Sequence, residues 1–208
     1  MNISEFLAIT SAIVPDREAV LFEDKRITYS ELAERANSLA NALGRMGVGS
    51  GDRVATIQVN CNEHVEASFA TARLDGVYVP LNFRARADEL VYMLNDAGPK
   101  VILVGKRYFD VVQSIRSRLT SVEHIIALEE PFANWHFYDE LITSTSEEEH
   151  FPNADDEDTT VLMFTAGTTG FPKGVMLTHN SFSSYILSNV EPPDLDVTEK
   201  NILTVPLY

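Results

Sequence analysis

Short apolar runs separated by amphipathic stretches organise most of this chain. Residues 19–22 and 26–29 flank the polar turn Glu23, Asp24, Lys25 and predict a β-hairpin. A helix is predicted directly after it. Thr28 and Glu31 have capping-box spacing, Leu32, Ala36, Leu39, Leu43 and Met46 recur at helical intervals, and Gly47 stands where a helix commonly stops. The pattern then alternates. Residues 54–59 read as a buried strand, 63–74 as a helix with Val65, Phe69 and Ala72 on one face, and 77–81 as a strand whose Pro80 marks an edge or a strand end. Residues 87–97 predict a helix stopping at Gly98 and Pro99, 101–104 a strand, 108–119 a helix and 124–128 another strand. Tyr78, Tyr92 and Phe69 fall within these patterns and are assigned to the core.

Strands and helices taking turns imply parallel strands joined by helical crossovers, hence an α/β class of layered, mostly parallel sheets. Between Leu141 and Thr159 the apolar signal fades. Glu147, Glu148, Glu149, Asp155, Asp156, Glu157 and Asp158 crowd around Pro152 and form a charged surface connection. They lack the glycine and the alternating spacing of a calcium loop. Residues 161–164 restore a buried-strand run, 175–177 are apolar again, and 181–190 predict a helix capped by Thr178 or Asn180.

Composition narrows the function classes. The chain has 208 residues, 45% of them hydrophobic, enough for a packed core. No apolar run reaches the roughly 18 residues of a membrane span, and Glu5 stands where a secretory signal is basic, so a cytoplasmic protein is expected. The single cysteine, Cys61, has no internal disulfide partner. Set between Asn60 and Asn62 after an apolar run, it reads as a turn residue rather than a nucleophile. The histidines lack metal-ligand spacing, and a net charge of −15 disfavours nucleic acid and anionic membranes as partners. Because charges beyond about 8–10 Å are screened at cellular salt, a phosphate site in such a chain must be local and dense in donors.

Residues 165–174 meet that requirement. Thr165, Ala166, Gly167, Thr168, Thr169, Gly170, Phe171, Pro172, Lys173 and Gly174 combine glycines that admit close backbone approach, threonine hydroxyl donors and one ammonium on a long stem. Two common phosphate motifs are excluded. In the P-loop register the position five residues after Gly167 is Pro172 and Lys173 is followed by Gly174; Gly47 and Gly49 are followed by Asp52 where a dinucleotide fingerprint needs a third glycine.

This stretch, continuing into Leu177, Thr178 and His179, resembles the signature loop of the adenylate-forming superfamily of acyl-CoA synthetases, aryl-CoA ligases, luciferases and peptide-synthetase adenylation domains. Earlier landmarks occur in the family's order: Ile27, Thr28, Tyr29, Glu31 and Leu32; Gly51 to Ala55; then Gly76, Pro80, Leu81 and Asn82. The wording of residues 165–179 is most similar to fatty-acid CoA ligases.

The resemblance implies that a substrate carboxylate attacks the α-phosphate of ATP, pyrophosphate leaves, and coenzyme A takes the acyl group. By the same resemblance Thr165, Thr168, Thr169 and the backbone of Gly167 and Gly170 hold the β and γ phosphates, and Lys173 adds point-charge attraction. Magnesium is expected on those phosphates, with Thr165 offering one ligand and a glutamate beyond Tyr208 the stronger one. Ala166 replaces the usual serine or threonine and implies weaker phosphate binding. His179 has no proton to remove from a carboxylate already ionised at neutral pH, so a structural place at a helix start is expected for it.

Residues 1–60 are expected to start one α/β subdomain and 61–208 to form most of a second that carries the loop. The catalytic lysine and C-terminal domain of the family are expected beyond Tyr208, which predicts a catalytically silent chain. Two other readings stay open: an acyl-AMP or amino-acid adenylation domain serving a carrier protein, and a non-catalytic nucleotide-binding module.

Overall fold

A computed structural model describes residues 1–143, 150–165, 172–190 and 200–207. The chain opens with α1 (Ile3–Ile13), capped by a box in which Asn2 accepts from the Ser4 amide and Glu5 accepts from the Asn2 amide at 2.7 Å. β1 (Glu18–Phe22) and β2 (Lys25–Thr28) form the expected antiparallel hairpin. α2 (Tyr29–Arg45) follows, capped by Thr28 and Glu31 as predicted. Leu7 of α1, Ile27 of β2, and Leu32 and Ala36 of α2 bury together, with Val65 and Phe69 packed against them.

A seven-stranded sheet holds the rest. It contains β3 (Arg53–Ile57), β4 (Val77–Pro80), β5 (Val101–Val104), β6 (His124–Ala127), β7 (His136–Phe137), β8 (Thr159–Thr165) and β9 (Lys173–Thr178) in the order β7-β6-β5-β3-β4-β8-β9. The pairings from β7 to β8 are parallel; β8 and β9 pair antiparallel. Pro80 thus ends an interior strand, where its missing N–H costs no ladder bond. The linking helices are α3 (Asn62–Arg73), α4 (Ala87–Ala97), α5 (Phe109–Ile115) between short 3₁₀ turns, α6 (Tyr138–Thr143) and α7 (His179–Asn189).

Both faces of the sheet are covered, which is why its strands read as continuous apolar runs. On one face Ala55, Ile57, Val79, Ile102 and Val104 meet Leu90, Met93 and Leu94 of α4 and Phe109 and Val112 of α5. On the other, Val54, Tyr78, Val101 and Leu103 meet Leu39 and Leu43 of α2, Ala67 and Ala70 of α3, and Tyr138 of α6. The alternation along β5 is the period-2 pleat of a strand buried twice over.

This topology corrects one expectation. β3 precedes Cys61 and β4 follows it, yet they are hydrogen-bonded neighbours, so the sheet is not divided near residue 61. Asn60 and Cys61 lie in the connection from β3 into α3, which begins at Asn62, rather than at a boundary between subdomains. The acidic stretch is described in part, since residues 144–149 lie outside the described residues. In the remainder the Asp75 carboxylate accepts from the Asn153 and Ala154 amides, and the Asp158 carbonyl accepts from the His179 amide.

Candidate functional site at the carboxyl edge of the sheet

Because β3, β4, β5, β6 and β8 are parallel, the segments that leave their C-terminal ends emerge at one edge. Helix α3, following β3, packs on one face, whereas α4 and α5, following its neighbours β4 and β5, pack on the other. Connections that diverge in this way open a crevice beyond the strand ends, where α/β sheets take ligands. At its base the buried Gln58 side chain lies against Gly105. A Cβ at Gly105 would stand 2.3 Å from Gln58 Nε2, so a larger residue there would have to displace the Gln58 amide.

His64 braces the same end of the sheet. Its Nε2 lies 3.1 Å from the Gln58 carbonyl, which can only accept, so Nε2 carries the proton and Nδ1 accepts from the Tyr78 hydroxyl at 2.6 Å. Burial holds the His64 pKa below its ordinary value and pushes that of Tyr78 up. Neither group is placed to trade protons with solvent. Cys61, N-terminal to α3, is buried and its thiol pKa is raised, first by burial and then by the adjacent Glu63, so it is no nucleophile.

Of the residues expected to bind phosphate, the structure describes two. Thr165 ends β8 and Lys173 begins β9; they are cross-strand partners, with the Thr165 hydroxyl donating to the Lys173 carbonyl at 3.4 Å. Ala166, Gly167, Thr168, Thr169 and Gly170 lie outside the described residues. The hairpin therefore gathers both ends of the glycine- and threonine-rich stretch at the carboxyl edge, and both described ends are exposed.

Electrostatics single out Lys173. Lys25 pairs with Glu63, Lys100 with Asp52, Lys106 with Glu130 and Lys200 with Glu18. Lys173 alone among the lysines has no carboxylate partner among the described residues. Arg84 and Arg86 after β4, and Arg107 after β5, are exposed at the same edge.

His179 sits elsewhere. It is buried as the first residue of α7, where Thr178 accepts from the Ser181 amide as N-cap, and its Nδ1 accepts from the Ile3 amide at 3.2 Å. Burial lowers its pKa, keeping the imidazole a neutral acceptor that ties α7 to α1. Sequence reasoning had no signal for the Gln58–Gly105 contact or the His64–Tyr78 bond, which join residues on different strands and helices.

The long-chain-fatty-acid–CoA ligase of Thermus thermophilus is 31% identical over all of this chain and 39% of its own length. The fatty acid–[acyl-carrier-protein] ligase ScoC of Streptomyces coeruleorubidus is 35% identical over 81% of this chain and 31% of its own. The chain spans about two fifths of the length of the curated relatives it matches end to end. Among solved structures, the anthranilate CoA ligase AuaEII in complex with anthranoyl-AMP superposes with a TM-score of 0.86 at 25% identity, over 90% of this chain and 36% of that one. The N-terminal domain of FACL13 from Mycobacterium tuberculosis gives 0.82 at 31%, over 93% and 48%. The AMP-binding enzyme family model matches residues 9–208, and with the parallel sheet and the hairpin at its carboxyl edge this places the chain in the AMP-binding enzyme family, as an N-terminal portion of the adenylate-forming fold.

Proposed function

We propose that this chain supplies the pyrophosphate grip of an enzyme that activates a fatty or other carboxylic acid with ATP and passes the acyl group to coenzyme A. The observation that carries the reading is Lys173, unpaired among the described residues and fixed opposite Thr165 at the mouth of the hairpin. In the first step a carboxylate oxygen of the acid bonds to the α-phosphorus and the bond to the bridging oxygen breaks, giving acyl-adenylate and pyrophosphate. Negative charge accumulates on the departing oxygens, and donors already aimed at them lower the barrier without reorganising. Lys173, the Thr165, Thr168 and Thr169 hydroxyls, and the amides of Gly167 and Gly170 serve that role. In the second step the thiol sulfur of coenzyme A takes the acyl carbon and AMP leaves.

Among the described residues no group of three His, Cys, Asp or Glu side chains could hold a metal ion. Magnesium would be held chiefly by phosphate oxygens, with the Thr165 hydroxyl as a protein ligand, and would supply neutralisation of phosphate charge. His179 takes no part, since its Nδ1 is engaged with the Ile3 amide. The 35% identity to ScoC supports a second reading in which a carrier-protein thiol replaces coenzyme A.

ATP–pyrophosphate exchange in the whole protein tests the first step. Lys173→Ala is expected to lower exchange about 100-fold, the scale of losing one preorganised donor to developing charge, and Gly167→Ala to lower it as well. Wild-type exchange in both variants would refute the assignment. Mass spectrometry of the thioester formed with coenzyme A or with a phosphopantetheinyl carrier protein separates the two acceptors.

A further inference from the structure

His124 opens β6 and His136 opens β7, the strand at one margin of the large sheet. In the parallel register Ile126 stands opposite His136, so His124, two residues before Ile126, falls on the same face as a diagonal neighbour of His136. The two rings meet there. His136 Nε2 lies 3.3 Å from His124 Nδ1, with ring centroids 5.4 Å apart. The residues are 12 positions apart in sequence, a separation that carries no ligand signature until the strands pair.

Both histidines line an open cavity of about 430 Å³, together with Gln113, Arg116, Glu123 and Asn134. The cavity lies at the amino edge of the parallel strands, opposite the edge where β8 ends in Thr165. Its frame is fixed by the fold. The His124 amide donates to the Lys100 carbonyl at 3.2 Å, and Trp135, beside His136, packs edge-on against Phe109 and Phe132 with centroids 5.5 and 4.8 Å away. Neither ring is sealed in the core, since His136 is exposed and His124 half-buried.

Two nitrogens bound to one zinc ion at 2.0–2.1 Å and a tetrahedral angle stand about 3.3 Å apart. That matches the separation of the two imidazoles, whereas hydrogen bonds donated by N–H centre near about 2.9–3.0 Å. We infer that His124 Nδ1 and His136 Nε2 form a chelating site for a divalent transition-metal ion of zinc's class, at the opposite edge of the sheet from the phosphate hairpin. Among the described residues no third His, Cys, Asp or Glu completes a cluster, so water fills the other positions, within reach of the amide-bearing walls at Gln113 and Asn134. Arg116 and Glu123 cancel in formal charge, and imidazole ligands select zinc, copper or nickel over oxygen-seeking magnesium. A bound ion ties the two-residue marginal strand β7 to β6 through side chains as well as backbone.

The test is a zinc titration of the whole protein, comparing wild type with His124→Gln, His136→Gln and the double variant, with circular dichroism as the control for folding. Wild type should take up one more zinc ion than the double variant. Each single variant should hold that ion about 100-fold more weakly, because loss of a ligand costs at least as much as loss of a ligand's support. A second measurement needs no substitution: in nitrogen-resolved imidazole spectra of the wild type, zinc should shift His124 Nδ1 and His136 Nε2. Equal zinc uptake by wild type and folded double variant overturns the inference. So does a wild-type spectrum in which saturating zinc leaves both ring nitrogens unmoved, which would make the pair an ordinary hydrogen bond between neutral rings.

Discussion

Glu66 is fully buried in α3; its carboxylate accepts from the hydroxyl of Tyr138 at the start of α6 and from Asn62 Nδ2 at 2.6 Å, and forms an ion pair with Arg35 Nε of α2 at 3.0 Å. Consider Glu66→Gln, which keeps the shape and removes the charge. The amide's oxygen can replace the carboxylate oxygen shared by Arg35 and Tyr138, but its NH2 then faces the Asn62 NH2. Asn62 cannot turn over without loss, since its Oδ1 accepts from Lys25 Nζ at 3.1 Å. One buried donor is left unpaired, at about 1–3 kcal/mol, the Tyr138 bond becomes an ordinary one, at about 1 kcal/mol, and the Arg35 ion pair is lost. Part of this is recovered because the Arg35 side chain is 29% exposed and can draw on water. A net loss of about 3 kcal/mol follows, which for a chain of this size lowers Tm by roughly 6–12 °C. Thermal and urea melts followed by circular dichroism would measure it. A double-mutant cycle with Tyr138→Phe should show coupling of about 1 kcal/mol. If Glu66→Gln melts within 1–2 °C of wild type, the carboxylate does not organise α2, α3 and α6 as described.

Two further outcomes are expected. Burial lowers the pKa of His64 and of His179 below the ordinary 6.5, so the unfolded chain binds more protons than the folded one between those lowered values and 6.5. The stability tied to neutral imidazoles is fully present above pH 6.5 and is lost as pH falls through the folded pKa values; urea midpoints flat from pH 7 down to 5 would contradict this. In Gly76→Ala the new Cβ would lie 3.0 Å from the Asp52 carbonyl oxygen and 3.2 Å from that of Thr71. Backbone on both sides leaves little room to yield, so a loss of about 1–3 kcal/mol is expected; an unchanged urea midpoint would show that the turn into β4 relaxes freely.

The elements read correctly from sequence are those whose signals are local. The hairpin, α2 with its Thr28 and Glu31 cap, α4, and β5 each carry their own periodicity or boundary residues. α1 is not announced by the sequence although Asn2 and Glu5 have the same capping-box spacing, because Ile3 and Leu7 provide too short an apolar stripe to stand out. β9 shows in the sequence only as an apolar run, since residues 166–172 between it and β8 are longer than the two-residue turn that announces a hairpin. The supposed break near Cys61 arose because asparagines around a cysteine look like a linker, whereas the parallel pairing of β3 with β4 and β5 depends on residues distant in sequence. At the site, the glycine- and threonine-rich loop was legible from composition. The pairing, among the described residues, of every lysine but Lys173 with a carboxylate is not, since partners such as Lys100 and Asp52 meet only after folding.

The strand order also carries a kinetic consequence. β3 to β6 are built from consecutive stretches and can assemble as crossovers close behind one another, but β8 pairs with β4 across the whole intervening α4-to-α6 region. Closing so long an intervening chain costs loop entropy, so the hairpin is expected to dock after the sheet of β3 to β6 has formed. Until it arrives, β4 stands as a bare margin whose amides and carbonyls await a neighbour, and crowding or heat during that interval favours misassociation of nascent molecules through β4.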